Sequence, residues 1–172
     1  MTKFRLLLIA LVLSIFAANL ASDYFRHDLY QAAIEFEASQ AKLLPKRISI
    51  NGRSYAYLEN SPEQKIATII MLHGFSASKE NWLRFAAPLA DQYHLIALDL
   101  MGHGENENDL NQSYSIENQT TFVRQVSLEL GLKQFHLVGN SMGGAISSLY
   151  AATYPEQVVS VVLISPAGVH DI

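Results

Sequence analysis

Short apolar runs alternate with longer segments of helical periodicity from about residue 66 to the end of the chain. Apolar runs of this length predict strands that are buried on both faces of a sheet. Apolar residues at helical spacing predict helices over about 81–92, 116–130 and 142–154. Strands that alternate with helices are typical of a parallel sheet. The predicted strands are Ile66–Leu72, His94–Leu98, Phe135–Val138 and Val158–Ile164.

A β-hairpin is predicted just before this alternating region. Arg47–Ile50 and Arg53–Leu58 are separated by Asn51-Gly52, and Asn-Gly is the strongest two-residue signal for a hairpin turn. An antiparallel hairpin that leads into parallel strands makes the sheet mixed. The predicted fold class is therefore α/β, with a mostly parallel sheet and an antiparallel N-terminal strand. Residues 102–115 are predicted to form a long polar loop.

The first 21 residues predict a membrane anchor or a secretory signal peptide. Lys3 and Arg5 precede the apolar run Leu6–Ala21, and a basic start before such a run is typical of both kinds of segment. Phe16 and Asn19 stand where signal peptidase requires small side chains, which favours an uncleaved anchor. The basic residues would stay in the cytoplasm. The rest of the chain is then expected outside it, anchored at the membrane, or secreted if the segment is cleaved.

Residues 22–44 show helical spacing of apolar positions, and Pro45 marks the end of the predicted helix. This helix is interpreted either as a stalk or as an interfacial helix that lies against lipid. Because the segment is not basic, the stalk is favoured. The predicted organisation is a signal anchor or signal peptide over 1–21, a helical stalk over 22–45 and a globular domain over 46–172.

Composition excludes several function classes. The net charge is −4 and the Lys and Arg residues are scattered, so no nucleic-acid partner is expected. The absence of cysteine excludes disulfides, cysteine-based metal sites, a thiol nucleophile and an N-terminal lipoprotein anchor. Nothing in the pattern specifies an oligomeric state.

The motif Gly139-Asn140-Ser141-Met142-Gly143 carries the clearest chemical signal, because it follows a predicted buried strand and opens a predicted helix. It matches the pattern G-x-S-x-G. Small residues two positions from the serine let backbones approach one another at a strained strand-to-helix turn. The helix N-terminus favours a developing anion. Ser141 is the candidate nucleophile, and the structural alternative is a serine N-cap in a glycine-rich turn.

A second motif, His73-Gly-Phe-Ser76, follows the strand Ile66–Leu72. A tetrahedral acyl intermediate requires two backbone N–H donors aimed at its oxyanion. The predicted donors are Met142, which follows the candidate nucleophile, and Phe75 in this loop. His73 is a possible general base, but a loop-fixing role through backbone hydrogen bonds is favoured.

A third motif, Asp99-Leu-Met-Gly-His-Gly104, follows the strand His94–Leu98. Asp99 could be the acid of a catalytic triad. The favoured interpretation is that Asp99 braces the loop and accepts hydrogen bonds from backbone donors. His103, in the same glycine-rich loop, is interpreted as structural.

Four motifs in this order and spacing resemble the α/β-hydrolase superfamily, over about residues 46–170. Within it, the chain is similar to the membrane-anchored monoacylglycerol lipases and related bacterial lipases. The resemblance implies Ser141 as the nucleophile, with the backbone N–H groups of Phe75 and Met142 as the oxyanion hole. The motifs are His73-Gly-Phe-Ser-Ala-Ser-Lys-Glu-Asn-Trp82, Asp99-x-x-Gly-His-Gly104, His136-Leu-Val-Gly-Asn-Ser-Met-Gly-Gly144 and Tyr154-Pro-Glu-Gln-Val158.

The family's triad runs in the order serine, acid, histidine along the chain, and few residues follow Ser141 here. Asp171 and His170 are the late candidates for acid and base, and neither is favoured. The expectation is that the chain is truncated after about the sixth strand, without the cap and the last strands. The catalytic acid and histidine are then expected beyond residue 172.

The implied activity is hydrolysis of carboxylic esters through an acyl-enzyme on Ser141. The membrane segment and the apolar Phe75, which is also the predicted substrate-binding residue, favour lipophilic acyl esters such as monoacylglycerols. No metal and no organic cofactor is expected. Two alternatives stay open: a carbon–carbon bond hydrolase of ring-fission products on the same fold, and a non-catalytic pseudoenzyme.

The sequence generates one direct test. The purified 172-residue chain should hydrolyse p-nitrophenyl butyrate little or not at all, because the expected catalytic histidine is missing from it. Initial rates of p-nitrophenolate release, compared with those of a Ser141→Ala chain, measure this. Robust hydrolysis that depends on Ser141 would show the expectation to be wrong.

Overall fold

The N-terminal apolar segment forms one continuous helix in the computed structural model, which describes residues 2–168. This helix, α1, spans Thr2–Ala41, and most of its large apolar side chains from Leu7 to Phe36 are exposed. Leu7–Ala41 is long and apolar enough to cross a membrane, a property that signal sequences near an N-terminus share. Forty helical residues extend about 60 Å, so a hydrocarbon layer of about 30 Å would hold about half of them.

The helix predicted over 22–44 ends earlier than its pattern indicated. α1 stops at Ala41 because Lys42 adopts a left-handed φ of 54°. The first strand then begins at Leu44 and includes Pro45, which an edge strand tolerates because it lacks a neighbour on one side. The helix has no break near residue 21, and the domain boundaries at 21 and 45 stay predictions.

Six strands form one mixed sheet, which confirms the predicted fold class. Its spatial order is β1-β2-β4-β3-β5-β6, with the pairs β1–β2 and β2–β4 antiparallel and the others parallel. Within the described residues β6 pairs only with β5, so its other edge is open. The strands are β1 Leu44–Ile50, β2 Arg53–Glu59, β3 Thr68–Leu72, β4 His94–Leu98, β5 Phe135–Asn140 and β6 Val158–Ile164.

Two helices complete the core on the sheet. These are α3, Ile116–Glu129, and α4, Met142–Thr153, both close to their predicted bounds. Phe122 and Ile146, one from each helix, pack in the same apolar cluster as Leu137 of β5. Burial of such side chains is the main favourable contribution to folding.

The helix predicted over 81–92 is only partly confirmed, because the segment is a series of short helical turns and not one regular α-helix. The segment instead contains a 3₁₀ turn at Lys79–Trp82, one turn of α-helix, α2, at Leu83–Ala86, and a second 3₁₀ turn at Ala87–Leu89. Pro88 lacks the N–H that a continuing α-helix would need, and its ring clashes with the preceding turn.

The register of the central strands brings three loops to one edge of the sheet. Leu72 at the end of β3 pairs with Leu98 at the end of β4 and with Gly139 in β5. Because these strands are parallel, the segments that follow them meet at the carboxyl edge. These segments begin at His73, Asp99 and Ser141, the three positions that carry the sequence motifs.

A buried carboxylate, Glu59, lies at the opposite end of the central strands. His94 Nε2 is 2.7 Å from Glu59 Oε1, and Lys46 Nζ donates to the other oxygen of Glu59. Burial acts to raise the pKa of Glu59, but the hydrogen bonds from His94 and Lys46 outweigh it and hold that pKa below its usual range. Since the folded-state pKa is lowered, Glu59 stabilises the fold above its unfolded pKa of about 4.5, and this contribution is lost as the pH falls through the folded value.

Glu59→Gln should therefore reduce the free energy of unfolding by about 1–3 kcal/mol near neutral pH, because the buried His94 and the partly exposed Lys46 lose their ionised acceptor. The difference from the unmodified protein should shrink as the pH falls below about 4.5. Urea unfolding followed by circular dichroism over this pH range measures it. Glu63→Gln removes the same charge from an exposed position and is the control. A deficit that is independent of pH would contradict the assigned ion pairing.

Candidate active site

Ser141 occupies a sharp turn between β5 and α4. Its φ is 50° and its ψ is −114°, a backbone conformation that residues other than glycine rarely adopt. Its N–H donates to Ile164 O at 3.0 Å, and its carbonyl accepts from the N–H groups of Gly144 and Ala167. Bonds to β6 and to the segment after β6 thus hold the turn in place.

The small residues around Ser141 are required by close backbone contacts. A Cβ at Gly139 would lie 2.2 Å from Gly143 O, and one at Gly143 would lie 2.1 Å from Leu72 O. No side chain fits at these distances, because the obstructing atoms belong to the backbone. The crowding predicted from the G-x-S-x-G spacing is therefore present.

A cavity of about 270 Å³ brings Ser141 together with the loop after β3. Phe75, predicted from sequence, lines it and is 76% exposed as a residue, while Met142 opens α4 directly after Ser141. Within residues 2–168, no hydrogen bond joins the Ser141 side chain to a histidine or a carboxylate. The lining residues are His73, Gly74, Phe75, Ala77, Asn81, Trp82, Asn140 and Ser141.

His73 also lines this cavity, but both of its ring nitrogens are bonded to backbone. Nδ1 lies 2.7 Å from Gly74 O and therefore carries the proton, and Nε2 accepts from the N–H of Leu100 at 3.0 Å. Burial lowers the pKa of His73, which favours the neutral ring that this pattern requires. The loop-fixing interpretation of His73 agrees with this geometry.

Asp99 is fully buried and bonds to two loops. Its Oδ1 accepts from the Lys79 N–H at 2.8 Å, and its Oδ2 accepts from the Glu105 N–H at 3.0 Å. These bonds connect the loop after β3 to the loop after β4, in agreement with the bracing role favoured from sequence. Gly104 permits this arrangement, because its φ is +57° and a Cβ there would lie 2.2 Å from the Asp99 carboxylate.

Sequence reasoning missed the partner of Asp99, which is Lys79. Its Nζ is 2.9 Å from Asp99 Oδ2, 2.6 Å from Glu105 Oε1 and 2.8 Å from Glu80 Oε1, while only 1% of Lys79 is exposed. Burial acts to lower the pKa of Lys79, but the surrounding carboxylates outweigh it and raise that pKa above its usual range. In the sequence, Lys79 looks like any solvent-exposed lysine. The one feature that could have indicated its role is Asp99, because a carboxylate buried there would need a cation as its partner.

His103 lies beside this loop junction. Its Nδ1 is 3.0 Å from Met101 O, and its ring centroid is 5.3 Å from that of His73 and 5.7 Å from that of Phe75. The late candidates His170 and Asp171 lie outside the described residues.

Gly104→Ala should destabilise the protein strongly. An alanine forced to a positive φ lowers the free energy of unfolding by about 1–2 kcal/mol. Collision of its Cβ with the buried Asp99 carboxylate lowers it by about 1–3 kcal/mol more. Gly131→Ala is the matched control, because Gly131 has a φ of +67° and nothing within 4 Å of its would-be Cβ. Chemical denaturation of both variants measures the difference. Equal losses for the two would mean that the contact with Asp99 contributes nothing.

Comparison with known proteins places this geometry in a family. Residues 67–171 match the family described as alpha/beta hydrolase fold. Lipase 1 of Psychrobacter immobilis is 37% identical over 142 residues, which cover 80% of this chain and 44% of that protein. Human monoacylglycerol lipase ABHD6 is 43% identical over 103 residues, which cover 59% of this chain and 31% of that protein.

A crystal structure of a membrane phospholipase A superposes with a TM-score of 0.81 at 39% identity, over 99% of this chain and 54% of that one. The chain spans less than half the length of Lipase 1 and of monoacylglycerol lipase ABHD6. Because the family match covers more than half of the chain and the sheet, turn and helices agree with it, the chain belongs to the α/β-hydrolase family.

Proposed function

We propose that Ser141 is the nucleophile of a serine hydrolase that cleaves carboxylic esters. The observation that carries the proposal is the strained turn that holds Ser141 at the start of α4, beside a cavity that it shares with Phe75. In this position the serine is close to the partial positive charge of the helix N-terminus. That charge favours negative charge on Ser141 Oγ and on the carbonyl oxygen of the ester as they react. The Ser141 side chain makes no hydrogen bond within the described part of the chain, so it is free to react.

The proposed oxyanion hole consists of the backbone N–H groups of Phe75 and Met142. Neither N–H has a hydrogen-bond acceptor within residues 2–168. Gly74 lies close to the Ser141 turn, since a Cβ there would lie 3.3 Å from the Ser141 Cβ. Two N–H donors held by fixed loops lower the energy of a tetrahedral intermediate without reorganisation during the reaction.

The reaction proceeds by attack of Ser141 Oγ on the acyl carbonyl carbon, with transfer of the serine proton to a general base. The tetrahedral intermediate expels the alcohol and leaves an acyl-enzyme, which water hydrolyses to the free acid. His73 does not serve as the base, because both of its ring nitrogens are bonded to backbone. We propose that the catalytic histidine and its acid lie outside the described residues. The mechanism requires no metal or organic cofactor.

The proposed substrates are lipophilic acyl esters such as monoacylglycerols. The exposed Phe75 ring gives the Ser141 cavity an apolar side, and Trp82 also lines the cavity. The apolar helix α1 would keep the enzyme at a membrane, where such esters concentrate, with the hydrolase domain outside the cytoplasm or, after cleavage, secreted. The lipases among the relatives support this class.

A fluorophosphonate probe tests the nucleophile directly. In the full-length gene product the probe should label Ser141, and Ser141→Ala should abolish labelling and lower ester hydrolysis by about 10³-fold or more. Ser148→Ala, an exposed serine in the same helix, is the control and should change neither. Peptide mass spectrometry locates the label, and release of fatty acid from a monoacylglycerol measures the rate.

Two outcomes would oppose the proposal in different ways. No labelling of Ser141 in the folded full-length protein would favour a non-catalytic role. Labelling with turnover of a ring-fission dienoate, but not of the monoacylglycerol, would favour the carbon–carbon bond hydrolase.

A further inference from the structure

A second cavity, of about 490 Å³, adjoins the one that contains Ser141. It lies between the loop after β3 and the polar loop after β4, and Phe75 and Ala77 line both cavities. The His103 ring lines the second cavity and lies 5.3 Å from the His73 ring, which lines the first. The two cavities therefore share a wall that consists of the Phe75 segment and this pair of histidines.

The second cavity offers polar groups that have no partner within the described residues. The side chains of Ser76 and Asn108 line it, and neither makes a hydrogen bond there. His103 Nδ1 faces the Met101 carbonyl, which can only accept, so Nδ1 carries the proton and Nε2 of the neutral ring is an acceptor. A hydroxyl, an amide and a ring nitrogen together can both donate to and accept from a ligand.

Neither cavity is lined by a lysine or an arginine, within the part of the chain that the structure describes. Recognition of a phosphate depends on charge-assisted hydrogen bonds, most often from arginine or lysine. An anion bound there would gain no counter-ion from the lining residues. Neutral hydroxyl groups, in contrast, match the available donors and acceptors.

We propose that the second cavity binds the neutral polyol part of the ester, such as a glycerol group, while the acyl carbon lies at Ser141. This inference rests on the proposed function and narrows it, because it assigns the alcohol side of the ester to Ser76, His103 and Asn108. It also assigns the enzyme to neutral esters in preference to phosphorylated ones. Phe75, between the cavities, then contacts the ester on both sides of the scissile bond.

Asn108→Ala tests the assignment with little risk to folding, because the Asn108 side chain is exposed and makes no hydrogen bond in the described part of the chain. In the full-length gene product this change should raise the KM for 1-monodecanoylglycerol about fivefold, the equivalent of one hydrogen bond. The KM for ethyl decanoate, which lacks the polyol, should not change. Gln92→Ala, at an exposed position before β4, is the control and should leave both values unchanged.

A phosphorylated substrate tests the preference for neutral esters. Decanoyl lysophosphatidylglycerol should be a poorer substrate than 1-monodecanoylglycerol, and Asn108→Lys should narrow the gap by supplying a cation, whereas Gln92→Lys should not. The proposal is overturned if the unmodified enzyme prefers the phosphorylated ester, or if Asn108→Ala raises the KM for both neutral esters equally.

A binding measurement separates this proposal from the proposed function. Calorimetric titration of the Ser141→Ala protein with 1-O-decylglycerol, which cannot be hydrolysed, should give tighter binding than titration with decanol. Asn108→Ala should remove the difference. Selective binding without any ester turnover by the unmodified enzyme would contradict the proposed function and leave the polyol site standing. Equal binding of the two ligands would overturn the polyol site, whatever the enzyme hydrolyses.

Discussion

The contact between the start of α4 and the end of β3 is the constraint on which the site depends. Gly143 lies against the Leu72 carbonyl so closely that even a methyl group is excluded. This contact places Ser141 beside the loop that carries Phe75, and hydrogen bonds from the turn to β6 and to the segment after β6 fix it from the other side. The positive φ of Ser141 is the strain that accompanies this placement, and the packed core below the turn stabilises it.

The loop after β3 needs a second support, since it has little regular structure of its own. Asp99 provides that support by accepting from two backbone N–H groups and from the buried Lys79 ammonium. A carboxylate buried without a partner would destabilise the fold by several kcal/mol, of the order of 3–5. The Lys79 charge and the N–H dipoles remove that cost and make Asp99 a rigid connection. His73 adds a neutral connection of the same kind, between its own loop and Leu100.

Most of the fold could be predicted from sequence because its signals are local or periodic. The buried strands such as Phe135–Val138, the Asn51-Gly52 turn and the Ser141 motif each carry a pattern that few other structures satisfy. The segment predicted as one helix over 81–92 is a series of short turns, because apolar spacing alone does not register the break that Pro88 imposes on a regular α-helix. Lys79 and the second cavity could not be predicted, for another reason. Both depend on contacts between loops that are distant in sequence, and no single segment encodes them.

The distribution of charge explains how these parts work together. Within residues 2–168, the buried charged side chains form two groups, one around Asp99 behind the loops and one around Glu59 at the opposite end of the central strands. The Ser141 cavity is lined by uncharged residues, and burial keeps the His73 ring neutral beside it. An oxyanion formed there would therefore be stabilised by N–H dipoles and by the helix N-terminus rather than by a cation. Dipoles of this kind stabilise charge that develops on a neutral ester without binding a permanent anion tightly. The feature that would suit Ser141 to the proposed ester hydrolysis would therefore also disfavour a phosphorylated alcohol group in the adjoining cavity.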